Sequence, residues 1–162
     1  MSTLAYAALT TSREQSAANT STSPPGVSTY VDAVAALVPA EVLTLHALIL
    51  SVTTETLGGS TKITAVSTLS WAFFGLTVLS AAVFVAPRLL NGEWDRLDYI
   101  RAAIPALSFV GWTMLQRTTA FDAVAGQLGG APRTVIALFL AFMLGPLAAA
   151  LASKADQKPP PP

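Results

Sequence analysis

The chain lacks cysteine and has few charged residues. Its 162 residues include no cysteine, one histidine (His46), and only 11% Asp, Glu, Lys and Arg. The absence of cysteine excludes disulfides, thiolate metal sites and cysteine nucleophiles, and a single histidine excludes any mechanism that needs two imidazoles. An ordinary soluble domain carries about 25% charged residues, so this chain has too little charge to cover a water-facing surface. A soluble enzyme domain is therefore close to excluded.

The charges that are present show no excess of one sign. Nine Lys and Arg balance nine Asp and Glu, and no basic cluster occurs. A nucleic-acid-binding surface needs concentrated positive charge, so we expect no nucleic-acid partner. The sequence also lacks Walker A, GxGxxG, HExxH and GxSxG motifs, which carry phosphate, dinucleotide, zinc-protease and serine-hydrolase chemistry. We therefore predict no enzyme activity, no cofactor and no metal site.

Two long runs contain no charged residue at all. No Asp, Glu, Lys or Arg occurs in the 25 residues from Ile63 to Pro87 or in the 20 residues from Thr134 to Ser153. About 20 apolar residues in a helix cross a hydrocarbon core of about 30 Å. The runs are therefore typical of membrane-spanning helices, and the sequence predicts an all-α, polytopic integral membrane protein.

The predicted organisation is a small bundle of about four transmembrane helices between two tails. The transmembrane domain covers residues 27–153, and its spans are predicted over residues 30–54, 63–86, 99–119 and 133–153. The third span has a re-entrant or buried helix as its alternative, because its uncharged core has only 15 residues. Residues 1–26, rich in Ser and Thr, are predicted to be a disordered tail, and residues 154–162 a proline-rich tail.

Prolines predict where the spans begin or bend. Pro39 suits the first turn of a helix, where its missing N–H needs no partner. Two interpretations follow for residues 30–54: an interfacial helix before a span that starts at Pro39, or one kinked helix through both, which we favour. Pro105 and Pro146 each remove a helical hydrogen bond, and they predict kinks in the third and fourth spans. Gly58 and Gly59 predict a turn between the first two spans.

Basic residues predict the orientation in the membrane. With four spans, the two tails and the second connection share one side and hold six of the nine Lys and Arg, against three on the other side. The positive-inside rule then places both termini in the cytoplasm. The preference for alanine and arginine is associated with GC-rich bacterial genomes, so a bacterial inner membrane is the expected location.

Polar residues in the first span form a candidate intramembrane site. Glu41 leads it, because a charge at the membrane centre costs about 2.5–3.5 kcal/mol. With a rotation of about 100° per residue, Thr44 and Ser51 fall within about 80° of Glu41, whereas His46 lies about 140° away. The structural alternatives are an acid that stabilises the start of the helix and a histidine that hydrogen-bonds to a neighbouring helix.

Small residues recur at every fourth position of the last span. They are Ala137, Ala141, Gly145, Ala149 and Ser153. Small side chains at this spacing let two helix backbones approach closely, within the bundle or between subunits. We therefore expect a non-enzymatic anchor or assembly subunit of a larger or self-associated complex in the lipid bilayer. The alternative is a pore-forming, holin-like or small-solute channel with Glu41 in a polar pathway.

Overall fold

The protein is mostly helical, with one short β-hairpin. The computed structural model describes residues 32, 34–92, 94–116 and 118–156, so the predicted N-terminal tail lies outside the described residues, as do residues 157–162. The elements, in chain order, are α1 (Ala40–Thr53), β1 (Thr54–Leu57), β2 (Ser60–Ile63), α2 (Val66–Leu90), α3 (Asp98–Leu115), α4 (Ala120–Ala125) and α5 (Gly130–Asp156).

Helix α3 forms the centre of the bundle. It packs against both long helices, α2 and α5, and against α4. Its 18 residues extend about 27 Å at 1.5 Å per residue. Phe109 and Thr113 on α3 are fully buried. This enclosed position agrees with the buried-helix alternative for the third segment, and its crossing of a membrane stays a prediction.

The bundle has two ends, and the direction of each helix defines them. The hairpin end is where α1 and α3 finish and where α2 and α5 begin. It also contains β1, β2 and α4. The Thr53 carbonyl there accepts a hydrogen bond from the Thr64 N–H at 2.9 Å. At the opposite end, which we call the loop end, residues 91–97 connect α2 to α3, and Arg101 reaches the Leu151 carbonyl of α5. Thus α2 and α5 run in one direction and α3 runs in the other.

The largest part of the core lies toward the hairpin end. The rings of Phe73, Phe109 and Phe121 come from α2, α3 and α4, with centroids 5.9–6.1 Å from Phe73. A smaller cluster of Ile104, Leu144 and Leu151 joins α3 to α5 nearer the loop end. The short helix α4 is therefore held by aromatic packing at one end of the bundle.

Helices α2 and α5 are long and apolar enough to cross a membrane, α5 as far as Ala152. In the most apolar 18 residues of each helix, only 22% of positions are buried. A core helix of a soluble protein hides such residues, whereas here large apolar side chains point outward. Examples are Trp71, Phe74, Val78, Phe139, Phe142 and Met143, each more than half exposed. The count of four spans stays a prediction.

Several predicted boundaries are wrong. The favoured single kinked helix over residues 30–54 is broken before Pro39, whose ψ of 134° is not helical. Residues 36–38 form a separate turn, so α1 begins only at Ala40. At the other boundary, α2 continues past Pro87 to Leu90, because a proline in the last turn removes only one helical hydrogen bond.

The predicted turn at Gly58 and Gly59 is confirmed, but the two strands beside it and helix α4 were not predicted. The segment around Gly58 and Gly59 is the turn of a β-hairpin, with φ of 59° and 83° at these glycines. Two successive left-handed residues suit a tight hairpin turn, and the flanking strands pair in register. The expected loop after α3 contains α4, which begins with a capping box in which Thr119 and Asp122 exchange hydrogen bonds with each other's backbone.

Candidate functional site

The predicted polar site divides between two sides of α1. His46 is buried against α3 and α4, whereas Glu41, Thr44 and Ser51 lie on the exposed outer side of the helix. The structure therefore separates the histidine from the other three residues. This agrees with the rotation of about 140° between Glu41 and His46 that helical geometry predicts.

His46 packs inside the bundle and joins α1 to α4. Its imidazole is 1% exposed and lies edge-on to the rings of Phe109 and Trp112, with centroid distances of 5.7 and 5.3 Å. The backbone N–H of Ala120 donates a long hydrogen bond of 3.4 Å to Nε2. A nitrogen that accepts a hydrogen bond carries no proton, so this contact holds the neutral form of the ring.

The outer side of α1 carries the candidate site that faces away from the bundle. The Thr44 hydroxyl donates to the Ala40 carbonyl at 2.9 Å, and the Ser51 hydroxyl donates to the Leu48 carbonyl at 2.7 Å. Among the described residues, none donates a hydrogen bond or forms an ion pair with the Glu41 carboxylate. A shallow cleft of about 480 Å³ lies beside it, lined by Ala40, Glu41, Thr44, Leu45 and Leu48.

An ionic triad closes the loop end of the bundle, and the sequence-based search missed it. The Asp98 carboxylate is fully buried and accepts hydrogen bonds from Arg88 at 2.9 and 3.1 Å, Arg101 at 2.8 Å and the Asp95 N–H at 2.9 Å. Arg101 also donates to the Leu151 carbonyl at 2.9 Å. We call Arg88, Asp98 and Arg101 the triad. The Asp98 carboxylate joins α2 to α3, and Arg101 extends this connection to α5.

The triad changes the interpretation of Arg101. The sequence suggests that this side chain anchors the protein to lipid phosphate, yet its side chain is only 12% exposed and hydrogen-bonds within the protein. The spacing of Asp98 and Arg101 by three residues is the signal that was available, because residues three apart are neighbours on a helix. Arg117, the second proposed anchor, lies outside the described residues.

A second ionic pair lies at the hairpin end. Arg133, in the first turn of α5, pairs with Asp122 of α4. Its guanidinium also lies 5.0 Å from the centroid of the Phe121 ring. The Ser70 hydroxyl of α2 donates to the Ala123 carbonyl at 3.0 Å. These contacts connect α2, α4 and α5 at this end.

The two polar ends are separated by one membrane thickness of apolar helix. From Ser70 to Arg88 on α2, and from Arg133 to Leu151 on α5, the chain advances 18 residues, or about 27 Å. The hydrocarbon core of a bilayer is about 30 Å thick. We call the part of the bundle between these residues the apolar band. Trp71 lies near one boundary, and Trp94 and Tyr99 pack edge-to-face at the other, with ring centroids 5.1 Å apart.

The small-residue stripe of α5 does not form one packing face. Ala137 and Ala141 are buried, whereas Gly145 and Ala149 are exposed. A spacing of four residues drifts about 40° around the helix at each step, so the row rotates out of the bundle. The face that does pack inside continues from Ala141 to Leu144 and Leu151. The side chain of Ser153 lies outside the described part of the chain.

The three prolines have different positions. Pro39 precedes α1 and starts it, and the predicted kink becomes a break between elements. Pro105 is buried within α3, and Pro146 is exposed within α5; both helices continue through them. A bend at either of these two prolines stays a prediction.

The described residues contain no metal-binding cluster. Among the residues that the structure describes, no group of three or more His, Asp or Glu could hold a metal ion. The absence of enzyme activity stays a prediction. In comparisons with known proteins, no family model, no curated protein and no solved structure matches this chain.

Proposed function

We propose that the protein is a non-enzymatic integral membrane subunit that anchors or holds together a larger or self-associated membrane complex. The observation that carries this proposal is the outward-facing apolar side of α2 and α5: in the most apolar 18 residues of each helix, only 22% of positions are buried. Phe139, 69% exposed, and Val78, 68% exposed, are examples. Apolar patches of this extent are unfavourable in water and are favourable against lipid chains.

The arrangement of polar groups along the bundle supports the same proposal. Ion pairs and tryptophans lie at the two ends of the apolar band, about 27 Å apart. Aromatic side chains at both membrane surfaces and charges outside the hydrocarbon are typical of membrane proteins. We propose four crossings, made by residues 30–54 and by α2, α3 and α5, with the loop end and both termini in the cytoplasm of a bacterial cell. The basic residues Arg88, Arg96 and Arg101 near the loop end support this orientation.

The exposed half of the small-residue stripe is the proposed contact between subunits. Gly145 and Ala149 face outward, and a Cβ atom built at Gly145 would meet no atom within 4 Å. The monomer therefore has room for a larger side chain at this position. Close approach of a second helix would use the same space, since small residues allow backbones to pack together in membranes.

Gly145→Leu is expected to weaken assembly by about tenfold or more, because a bulky side chain would keep the partner helix away. The measurement is native mass spectrometry of the detergent-solubilised complex over a range of protein concentrations. Met143→Leu, at another exposed position of α5, is the control and should assemble normally. If Gly145→Leu assembles as the wild type does, the stripe plays no part in assembly.

A pore-forming protein is the second candidate, because Glu41, Thr44 and Ser51 all lie on the outer side of α1. Several copies with these sides facing each other would surround a polar path. Flux of protons or ions from liposomes discriminates the two proposals. A pore former leaks, and Glu41→Gln changes the leak; a tight liposome containing the inserted protein rules this candidate out.

A further inference from the structure

We propose that the outer face of α1 binds a transmembrane helix of a different protein, with Glu41 paired to a Lys or Arg side chain of that helix. This inference rests on the proposed membrane function, and it names the chemistry of the partner. We call Ala40, Glu41, Thr44, Leu45 and Leu48 the α1 face.

The contacts of His46 indicate the depth of Glu41 in the bundle. The His46 ring contacts Phe109, and Phe109 in turn lies 6.1 Å from Phe73 on α2. Because α1 runs toward the hairpin end, Glu41 lies five residues, or about 7.5 Å, farther from that end than His46. The corresponding level on α2 is Val78, which is close to the middle of the apolar band.

Glu41 is exposed, and none of the described residues forms an ion pair or hydrogen bond with it. At the same level the surface of α2 is apolar, since Val78 is 68% exposed. An acid in the first turn stabilises a helix at a water-facing surface, but at this depth it would face hydrocarbon. Charged groups within a membrane are costly, and they pair with one another or with polar cavities.

A second copy of this chain is not the proposed source of the cation. Subunits related by an axis along the membrane normal bring residues of equal depth together. The basic residues that the structure describes all lie outside the apolar band or at its boundaries, and they are Lys62, Arg88, Arg96, Arg101, Arg133 and, by its backbone position, Lys154. The sequence has no Lys or Arg between Arg13 and Lys62. Among the described residues, a second copy would therefore offer Glu41 only another Glu41 or apolar side chains.

The cleft of the α1 face, about 480 Å³ in volume, is shallow and open along the helix. Ala40 and Thr44, one turn apart, are small enough to let a second helix backbone approach. Leu48 continues this row one turn farther along the helix, and Leu45 lies beside it. A helix that carries one long basic side chain fits this surface and neutralises its only charge.

The test uses model helices as defined probes. Three leucine–alanine peptides of membrane-spanning length carry Lys, Leu or Glu at the centre, and each bears an acceptor dye. The full chain, labelled through Leu57→Cys on the exposed hairpin, is reconstituted in phosphatidylcholine vesicles. Energy transfer then reports binding. We expect the Lys peptide to bind at least about tenfold more tightly than the Leu peptide, because it removes an unpaired charge from hydrocarbon.

Variants of the protein identify the residue. Glu41→Gln should lose the preference for the Lys peptide, and Glu41→Lys should bind the Glu peptide instead. Glu55→Gln changes an exposed glutamate on β1, outside the apolar band, and is the matched control that should behave as the wild type does. A reversal of preference on charge exchange cannot arise from a general loss of structure.

Three results would overturn the inference. If the Lys and Leu peptides bind equally, or if Glu41→Gln keeps the preference for the Lys peptide, Glu41 does not pair with a basic side chain of a partner helix. Energy transfer between copies of the protein that depends on Glu41 makes a second copy the occupant. If alkaline pH releases the protein from the vesicles, the chain has not inserted, and the proposed membrane function is overturned as well. If the chain inserts but does not prefer the Lys peptide, only the proposal about the partner helix is overturned.

Discussion

Asp98→Ala is expected to lower the free energy of unfolding by about 3–5 kcal/mol, because it leaves two buried or half-buried arginines without their carboxylate. Asp98 accepts from Arg88, from Arg101 and from the Asp95 N–H, and it is fully buried. Unfolding by denaturant in detergent micelles, followed by tryptophan fluorescence, measures the loss. Asp95→Ala, at an exposed site in the same loop, is the control and should cost less than about 1 kcal/mol.

The same carboxylate predicts a dependence of stability on pH. Burial raises the pKa of Asp98, but hydrogen bonds from Arg101 and from the Asp95 backbone, with the charge of Arg88, outweigh burial and lower the pKa below 3.8. A carboxyl group whose pKa is lower in the folded state stabilises the fold above its unfolded pKa. That contribution is lost as the pH falls below 3.8, and it should be missing from Asp98→Ala. A similar acid loss in the variant would contradict the assignment.

Phe109→Ala is expected to lower the free energy of unfolding by about 3–5 kcal/mol, because it leaves a cavity where three helices meet. The Phe109 ring is fully buried and packs against His46 of α1, Phe73 of α2 and Trp112 of α3. The same denaturant titration measures the effect, with circular dichroism as a second signal to verify that the helices melt together.

Phe139→Ala is the matched control for this substitution. Phe139 is also a phenylalanine in a long helix, but it is 69% exposed and faces away from the bundle. Its replacement should change the free energy of unfolding by less than about 1 kcal/mol. If the two substitutions cost the same, the inner and outer faces of the bundle have been assigned incorrectly.

The positions of the long helices could be predicted from the sequence, because they depend on composition over many residues. The charge-free run from Ile63 to Pro87 corresponds to α2, and the run from Thr134 to Ser153 lies within α5. The separation of Glu41 from His46 could also be predicted, since it follows from helical rotation alone.

The features that could not be predicted depend on short signals or on contacts between distant residues. The hairpin at Gly58 and Gly59 and the helix started by Thr119 occupy only a few residues each. The triad requires a contact between Arg88 and Asp98, which lie on either side of the connection between α2 and α3. A single sequence does not show which residues come into contact across such a connection. The small-residue row that includes Gly145 divides between the inside and the outside of the bundle, because its spacing of four is close to, but not equal to, the helical repeat of 3.6.

The central claim is that the apolar band lies within the hydrocarbon of a membrane. Because the chain has no cysteine, single substitutions can be labelled without background. Leu57→Cys on the hairpin, Val78→Cys in the band and Asn91→Cys in the loop are all exposed positions. Each variant is reconstituted into sealed vesicles with a single orientation and treated with a membrane-impermeant maleimide from the outside and then after lysis.

If the apolar band lies in hydrocarbon, Leu57→Cys and Asn91→Cys react from opposite sides of the vesicle, and Val78→Cys reacts neither before lysis nor after it. A maleimide reacts with a thiolate in water, and a thiol within hydrocarbon neither ionises nor contacts water. Rapid labelling of Val78→Cys in intact vesicles, at the rate seen for Leu57→Cys, would contradict the claim and would place the apolar face of α2 in water or against a soluble partner.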